Sequence, residues 1–471
     1  MRKIFLFLML FSVSGLAAAA PLPDNVYFRA MKDEMTRSLD KLHVKNGPKP
    51  YYLAYQLQDV HHYCEGASFG QLSASSDDPS HQLSARVVLA AGSPKNDSMG
   101  FTSDEFRYAP SALGSVAQSY WGIRRALWSI TDNSYLNASE MYEKKQAYKR
   151  QKNLTDELPD FVPAQQASFV EDIPPFPQVP REQMQEWVQK LSARGKDIPY
   201  LESFSVNLCL SQDDWYYLNS DGGFYQYATV SSSAVVWAEV RNKDGYKIRL
   251  QRQVTLPKDF TRGETAVQTL VDRTLQEAAQ FYQATKAEPY IGPVLMMPEA
   301  AADFINRLLV ANVRNVKPLL SDEDKTAGAF RNKAGMRVMS PVADVLDKPL
   351  LREYRGVPLW GFKPVDDEGV LAQDLTVVSG GKLHELPLSR RPAQKGQTSN
   401  GHAHMSDYTL PRESLSNVFV EPKTPLSQAE MEAKLLARCR ELELDYCYIL
   451  KEFPVSTSWA NSTINIAERI Y

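Results

Sequence analysis

Between residues 201 and 256 the chain alternates apolar and polar side chains, and two turn sequences, Asp221-Gly222-Gly223 and Lys243-Asp244-Gly245, cut that alternation into separate runs. The runs at 204–210, 215–218, 224–240 and 246–255 are rich in β-branched and aromatic residues, as strands are. Glycine reaches positive φ without a Cβ clash, which tight hairpins require, so these strands fold back on their neighbours as an antiparallel meander.

Helical patterns flank the meander, so the chain is read as α+β. Met31, Met35, Leu39 and Leu42 recur at helical spacing over 24–43, and Asn46-Gly47-Pro48 ends that helix. A strand follows over 51–60, with Tyr51, Leu53, Tyr55 and Leu57 on one face, and another over 86–91. Residues 116–152 read as helix with a break at Thr131-Asp132-Asn133, and the charge run from Glu143 to Lys152 reads as a solvated face. Residues 154–181 hold six prolines, which cannot donate backbone hydrogen bonds, so they read as a connector laid over the surface. A helix over 264–287 then turns Val267, Leu270, Val271, Leu275, Ala278, Ala279 and Tyr282 inward. The domain boundary is placed after it: an amino-terminal mixed domain at 21–287 and a carboxyl-terminal domain at 288–471. In the second, β runs are expected at 336–339, 360–362, 375–378, 418–420 and 446–452. Ser427-Gln428-Ala429-Glu430 is a capping box opening a helix that carries Leu435, Leu436 and Leu442.

Residues 1–20 have the form of a secretory signal, with Arg2 and Lys3 before the apolar run 4–10 and small residues at 17–20. The expected location is the bacterial periplasm, cell surface or medium, and no later segment is apolar enough to span a membrane. The balance of 53 basic and 56 acidic residues argues against a nucleic-acid-binding surface. Four cysteines are too few for a disulfide framework. Bridges stay open, and their pairing cannot be deduced from sequence.

Several separated pieces carry a family likeness. They include Tyr290-Ile291-Gly292-Pro293-Val294-Leu295 leading into Glu299-Ala300-Ala301-Ala302, Trp128 to Tyr135, Glu157-Leu158-Pro159-Asp160-Phe161 and Val365-Asp366-Asp367-Glu368-Gly369. Ser399-Asn400-Gly401-His402, Leu410-Pro411-Arg412, Ser416-Asn417-Val418 and Leu444-Asp445-Tyr446-Cys447-Tyr448 complete the set. Taken in chain order they resemble the TldD/PmbA family of zinc metallopeptidases. The resemblance implies a carboxyl-terminal domain built on a curved, barrel-like antiparallel sheet with packed helices. It also implies dimers in which a zinc-bearing subunit can pair with a sister lacking the motif. Where catalytic members carry His-Glu-x-x-x-His, this chain reads Asn306, Arg307 and Ala311, and the family's third ligand, a cysteine, has no counterpart. Cys439 and Cys447 read as buried thiols. The resemblance therefore implies no zinc and no general base, but a homodimeric or heterodimeric partner that binds peptides or unfolded protein segments, with Arg307 holding a peptide carboxylate. It also implies that family chains continue past Tyr471, where 467–471 looks like the start of a strand pair.

On an α-helix, side chains five apart lie about 140° from each other, so the family's joint ligation needs a distorted helix. With the donors gone, Leu308, Leu309 and Val310 are expected to pack as ordinary core. The alternative is a divergent metallopeptidase holding zinc on His402 and His404, two apart on a strand, with His384 or Asp407 as third ligand. Against it, a loop-like sequence before them suggests solvent-exposed histidines. His61-His62-Tyr63-Cys64 is a weaker metal signal of the same kind. Asp366-Asp367-Glu368 lacks EF-hand spacing and reads as a tight polar turn. Neither a serine-hydrolase elbow nor a phosphate-binding loop is present.

Overall fold

The computed structural model describes residues 21–471 apart from 75–78, 104–105, 108–110, 156–157, 258–262, 318–319, 321–327, 407–408, 453–465 and 471. The expected signal at 1–20 and the proposed ligand Asp407 lie outside the described residues.

Five long strands frame the first half: β1 (Pro50–Ser68), β2 (Ser80–Ser93), β4 (Leu201–Asn219), β5 (Phe224–Arg241) and β6 (Lys247–Thr255). They pair antiparallel in the order β6-β5-β4-β1-β2, and a short strand β3 (Ser168–Val170) runs parallel beside β5. The meander is as expected, with Gly222 and Gly245 at φ of 95° and 87° in its turns. Its strands are longer than their apolar runs suggest, because 201–219 never breaks and β1 continues through His62 to Ser68. Tyr51 departs from the expected face: a register shift between Pro50 and Tyr52 turns it to the side opposite Leu53, Tyr55 and Leu57.

One face of this sheet carries two helical layers. Helices α1 (Val26–Lys41), capped by Asn25, and α2 (Tyr120–Lys152), capped by Ser119, cover Leu53, Tyr55, Leu57, Val87 and Leu89. Helices α3 (Arg181–Ser192) and α4 (Gly263–Gln283) cover Phe204, Val206, Leu208, Val236 and Val240. Helix α2 does not break at Thr131. The Thr131 hydroxyl donates to Leu127 O at 2.6 Å within the helix and pairs with the Tyr55 hydroxyl at 2.8 Å, so a residue that disfavours helices becomes part of the core. Nor is the charge run at 143–152 simply a solvated face. Lys145 is fully buried and donates to Asp160 Oδ2 and Met99 O, each at 2.6 Å.

In the second half, β7 (Val294–Met296) leads to α5 (Pro298–Ile305) and a π-helical turn, Asn306–Val310. Strands β8 (Ala343–Asp347), β9 (Leu375–Ser379), β10 (Lys382–Leu383) and β13 (Val418–Pro422) form an antiparallel sheet in the order β10-β9-β8-β13. Strands β11 (Ala403–Ser406) and β12 (Thr409–Glu413) make a hairpin. Helix α6 (Gln428–Glu441), with its Ser427 capping box formed, precedes β14 (Cys447–Glu452), which pairs with β7 and with β15 (Ile466–Ile470). The class is α+β as expected, but among the described residues no closed barrel forms, since these strands are too short to wrap around. The expected strands at 336–339 and 360–362 do not form beyond a single bridge between Arg337 and Lys382, and Trp360 is exposed.

All four cysteines are paired, which corrects the reading of Cys439 and Cys447 as thiols. Cys64 faces Cys209 directly across β1 and β4 and is bonded to it, and Cys439 of α6 is bonded to Cys447 of β14. Among the described residues no helix is long and apolar enough to cross a membrane.

Candidate functional site

Pro298 opens α5 at a position whose N–H would be unused, and Glu299 in its first turn pairs with Arg273 of α4 at 2.6 Å. After Ile305 the helix widens, and the Ala311 N–H reaches back five residues to Asn306 O at 3.0 Å. A π turn of this kind brings residues five apart towards one face. The distortion is therefore present without the family's imidazoles. The expectation of ordinary core packing holds for part of the segment. Leu309 is buried against Val313, Val345 and Leu375, and Val310 lies at the margin, whereas Leu308 is 51% exposed. Asn306, Arg307 and Ala311 stand at the surface, with Phe304 partly exposed beside them.

His402 and His404 do share a side of β11, with near-parallel rings 6.3 Å apart. They are not solvent-exposed loop histidines. His402 is fully buried, with Nδ1 3.0 Å from Asn400 Oδ1 and Nε2 3.2 Å from Asp347 Oδ2. Both nitrogens thus stand beside oxygen atoms, of Asn400 and of Asp347. Burial, and then the Lys363 ammonium, push His404 down to about 4. His384 is exposed, and among the described residues no cluster of metal donors contains any of these three histidines.

The acidic turn at 366–368 is a turn, as expected, but all three side chains are buried. It presses against the sheet face opposite the helices, where Tyr52, Tyr217, Tyr225 and Tyr227 form an aromatic wall with Val365. Asp367 Oδ1 accepts from Gln56 Nε2 at 2.9 Å, the Tyr225 hydroxyl at 2.8 Å and Lys363 Nζ at 2.6 Å, while Oδ2 accepts from Met405 N at 2.7 Å. Burial opposes its ionisation, yet Lys363 outweighs this and holds Asp367 below the usual carboxylate range. Glu368 Oε2 accepts from Arg390 N at 2.6 Å, and burial raises its carboxyl. Arg390 reaches back to the first half, donating to Asp221 Oδ2 at 2.6 Å and lying over the Phe161 ring at 4.0 Å. The proline-rich connector is held between the halves. Ala167 N donates to Gly369 O at 2.8 Å, and Asp160 and Phe161 are buried rather than laid over the surface. Sequence reasoning missed Lys363 and Arg390 here. The only signal was an acidic triplet followed by the basic pair Arg390-Arg391.

Residues 290–440 match the sequence profile of the PmbA/TldA metallopeptidase C-terminal domain. The fold is similar to TldE from Thermococcus kodakarensis, with a TM-score of 0.57 and 13% identity over 91% of this chain and 83% of that one. Two candidate modulators of DNA gyrase are similar to the same degree. The Thermotoga maritima protein has a TM-score of 0.58 and 12% identity over 89% of this chain and 84% of that one. The Bacteroides thetaiotaomicron protein has a TM-score of 0.55 and 11% identity over 91% and 82%. No curated protein matches by sequence. The likeness to these three structures is one of α+β fold, at 11–13% identity. Residues 290–440 thus carry a domain of the PmbA/TldA metallopeptidase C-terminal type.

Proposed function

We propose that this chain is an exported, non-catalytic TldD/PmbA protein that serves as a peptide-binding or partner subunit in proteolysis, as a homodimer or with a sister family member. The turn Asn306–Val310 carries this reading. Its backbone keeps the widened form that lets side chains five apart approach one ion, while its side chains are an amide, a guanidinium and a methyl group. Zinc, which the family implies, does not fit this set. An amide oxygen is a poor ligand, alanine offers no lone pair, and a guanidinium cannot accept a proton and repels a dication. No hydrolytic step follows from these residues.

Binding remains available to them. Arg307 can clamp a peptide carboxylate through two parallel N–H bonds, with Phe304 and Leu308 as an apolar margin for an extended segment. Export is supported by the pattern at 1–20 and by two disulfides, which persist in oxidising compartments. The test pairs a peptide-library digest, with and without chelator, with fluorescence anisotropy on labelled peptides. The expected result is saturable binding that Arg307→Glu weakens about tenfold, roughly 1.4 kcal/mol, and no chelator-sensitive cleavage. Chelator-sensitive cleavage by the purified chain would overturn the proposal.

A further inference from the structure

A separate cluster lies in the first half. The pairing of β1 with β2 sets His61 directly opposite His81, and the pairing of β1 with β4 sets Asp59 opposite Asp214. Residues two apart on a strand share a face, so these four side chains project together from three adjacent strands. They fall in the seam between the two helical layers. Leu53, Tyr55 and Leu57 lie under α1 and α2 on one side of it, and Tyr63 and Ala67 lie under α3 and α4 on the other. In the seam, Phe176 of the connector stacks on His61 with ring centroids 5.7 Å apart, and Gln118 stands over Asp59 at 3.3 Å and His81 Nδ1 at 3.1 Å.

The cluster has the features of a cation site. The imidazoles of His61 and His81 are stacked at 3.9 Å, and one donor atom from each of Asp59, His61 and His81 lies within 4.8 Å of the others. Asp59 and Asp214 are buried, and among the described residues the basic side chains within 4.0 Å of them are the two histidines rather than a lysine or arginine. His81 Nε2 is 2.6 Å from Asp59 Oδ1, and His61 Nε2 is 4.0 Å from Asp214 Oδ2. Their outer oxygens are already held. The Tyr27 hydroxyl donates to Asp59 Oδ2 at 2.8 Å and Gln212 Nε2 to Asp214 Oδ1 at 2.9 Å, so the remaining oxygens turn towards the imidazoles. Outer hydrogen bonds of this kind orient carboxylate ligands in metal sites. Gln212 also keeps a buried carbonyl oxygen with no partner, which a cation-bound water would satisfy.

We propose that Asp59, His61 and His81, with Asp214 as fourth donor, bind a borderline divalent cation of the zinc class, whose preference is for imidazole and carboxylate donors. The ion fastens β1, β2 and β4 together in the seam between the two helical layers. This site is independent of the turn after α5 and of any peptide binding there.

The experiment uses the purified full chain, stripped with chelator and titrated with zinc chloride by calorimetry, then with cobalt to read visible absorption. One equivalent of zinc should bind, raise the melting temperature and give a tetrahedral cobalt spectrum. The His61→Ala, His81→Ala double variant should lose all three signals, and Asn306→Ala should keep them. If the double variant does not fold, His81→Gln, at a side chain partly open to solvent, gives the same readout. Absence of stoichiometric binding by the stripped chain, or equal binding by the histidine variants, overturns the proposal.

Discussion

At Gly369 the backbone sits at a φ of 81°, and a Cβ there would run into Gln166 Oε1 and Asn219 Nδ2, which are bonded to each other at 2.8 Å. Gly369→Ala should therefore cost about 2–4 kcal/mol, the sum of a left-handed alanine and a broken buried hydrogen bond, read by denaturant melts. Glu413 carries a pH signature. Burial pushes its carboxyl up to about 7, above its usual 4.5, despite the hydroxyl of Ser389 donating to it. The folded state then holds a proton that the unfolded chain releases. The contribution is complete below pH 4.5 and is lost as the pH rises through 7. Glu413→Gln, which stays neutral, should gain on the natural protein as pH rises from 4.5 to 8, by at most about 3 kcal/mol. Of these buried ionic residues little was legible beforehand. Lys145 and His402 look like surface residues because their partners, Asp160 and Asp347, lie on other elements that only the tertiary fold brings near, and the local pair of Asp367 with Lys363 gives no sign of the tyrosine wall it enters.

Among the elements, regular patterns were the most readable. The meander turns, α1, α4 and the Ser427 cap follow from local chemistry, whereas α3 hid behind the proline-rich connector and the end of β1 hid behind His61 and His62. The widening after α5 follows from no local propensity of Asn306–Val310, and only the family likeness pointed to it. The two disulfides differ in the loops they close, with sequence separations of 145 and 8. On loop entropy, replacing Cys64 and Cys209 by serine should cost about 5 kcal/mol, and replacing Cys439 and Cys447 about 2.6 kcal/mol. Chemical denaturation of each double variant checks the order. In the second case, hydrogen exchange should rise mainly in α6 and β14, because a local clip restrains a local unit.

At the level of the whole molecule, the first sheet is buried on one face by its own helices and on the other by the second half of the chain. Asp367 is the centre of that second contact, so Asp367→Ala strands the Lys363 ammonium, whose side chain is only 16% exposed, against tyrosines. The expected loss is about 3–5 kcal/mol. Calorimetry should show one cooperative transition resolving into two as the halves part. The overall α+β class was legible from periodicity. The way the halves meet was not, because the turn at 366–368 gives no sign of which surface it will enter. That arrangement also sets a schedule during synthesis. The tyrosine wall is complete once residue 241 has been made, while its cover waits for Val365, Asp367 and Met405. At common elongation rates the nascent chain leaves a broad aromatic surface bare for roughly ten to thirty seconds, an interval in which a chaperone has to shield it from its neighbours.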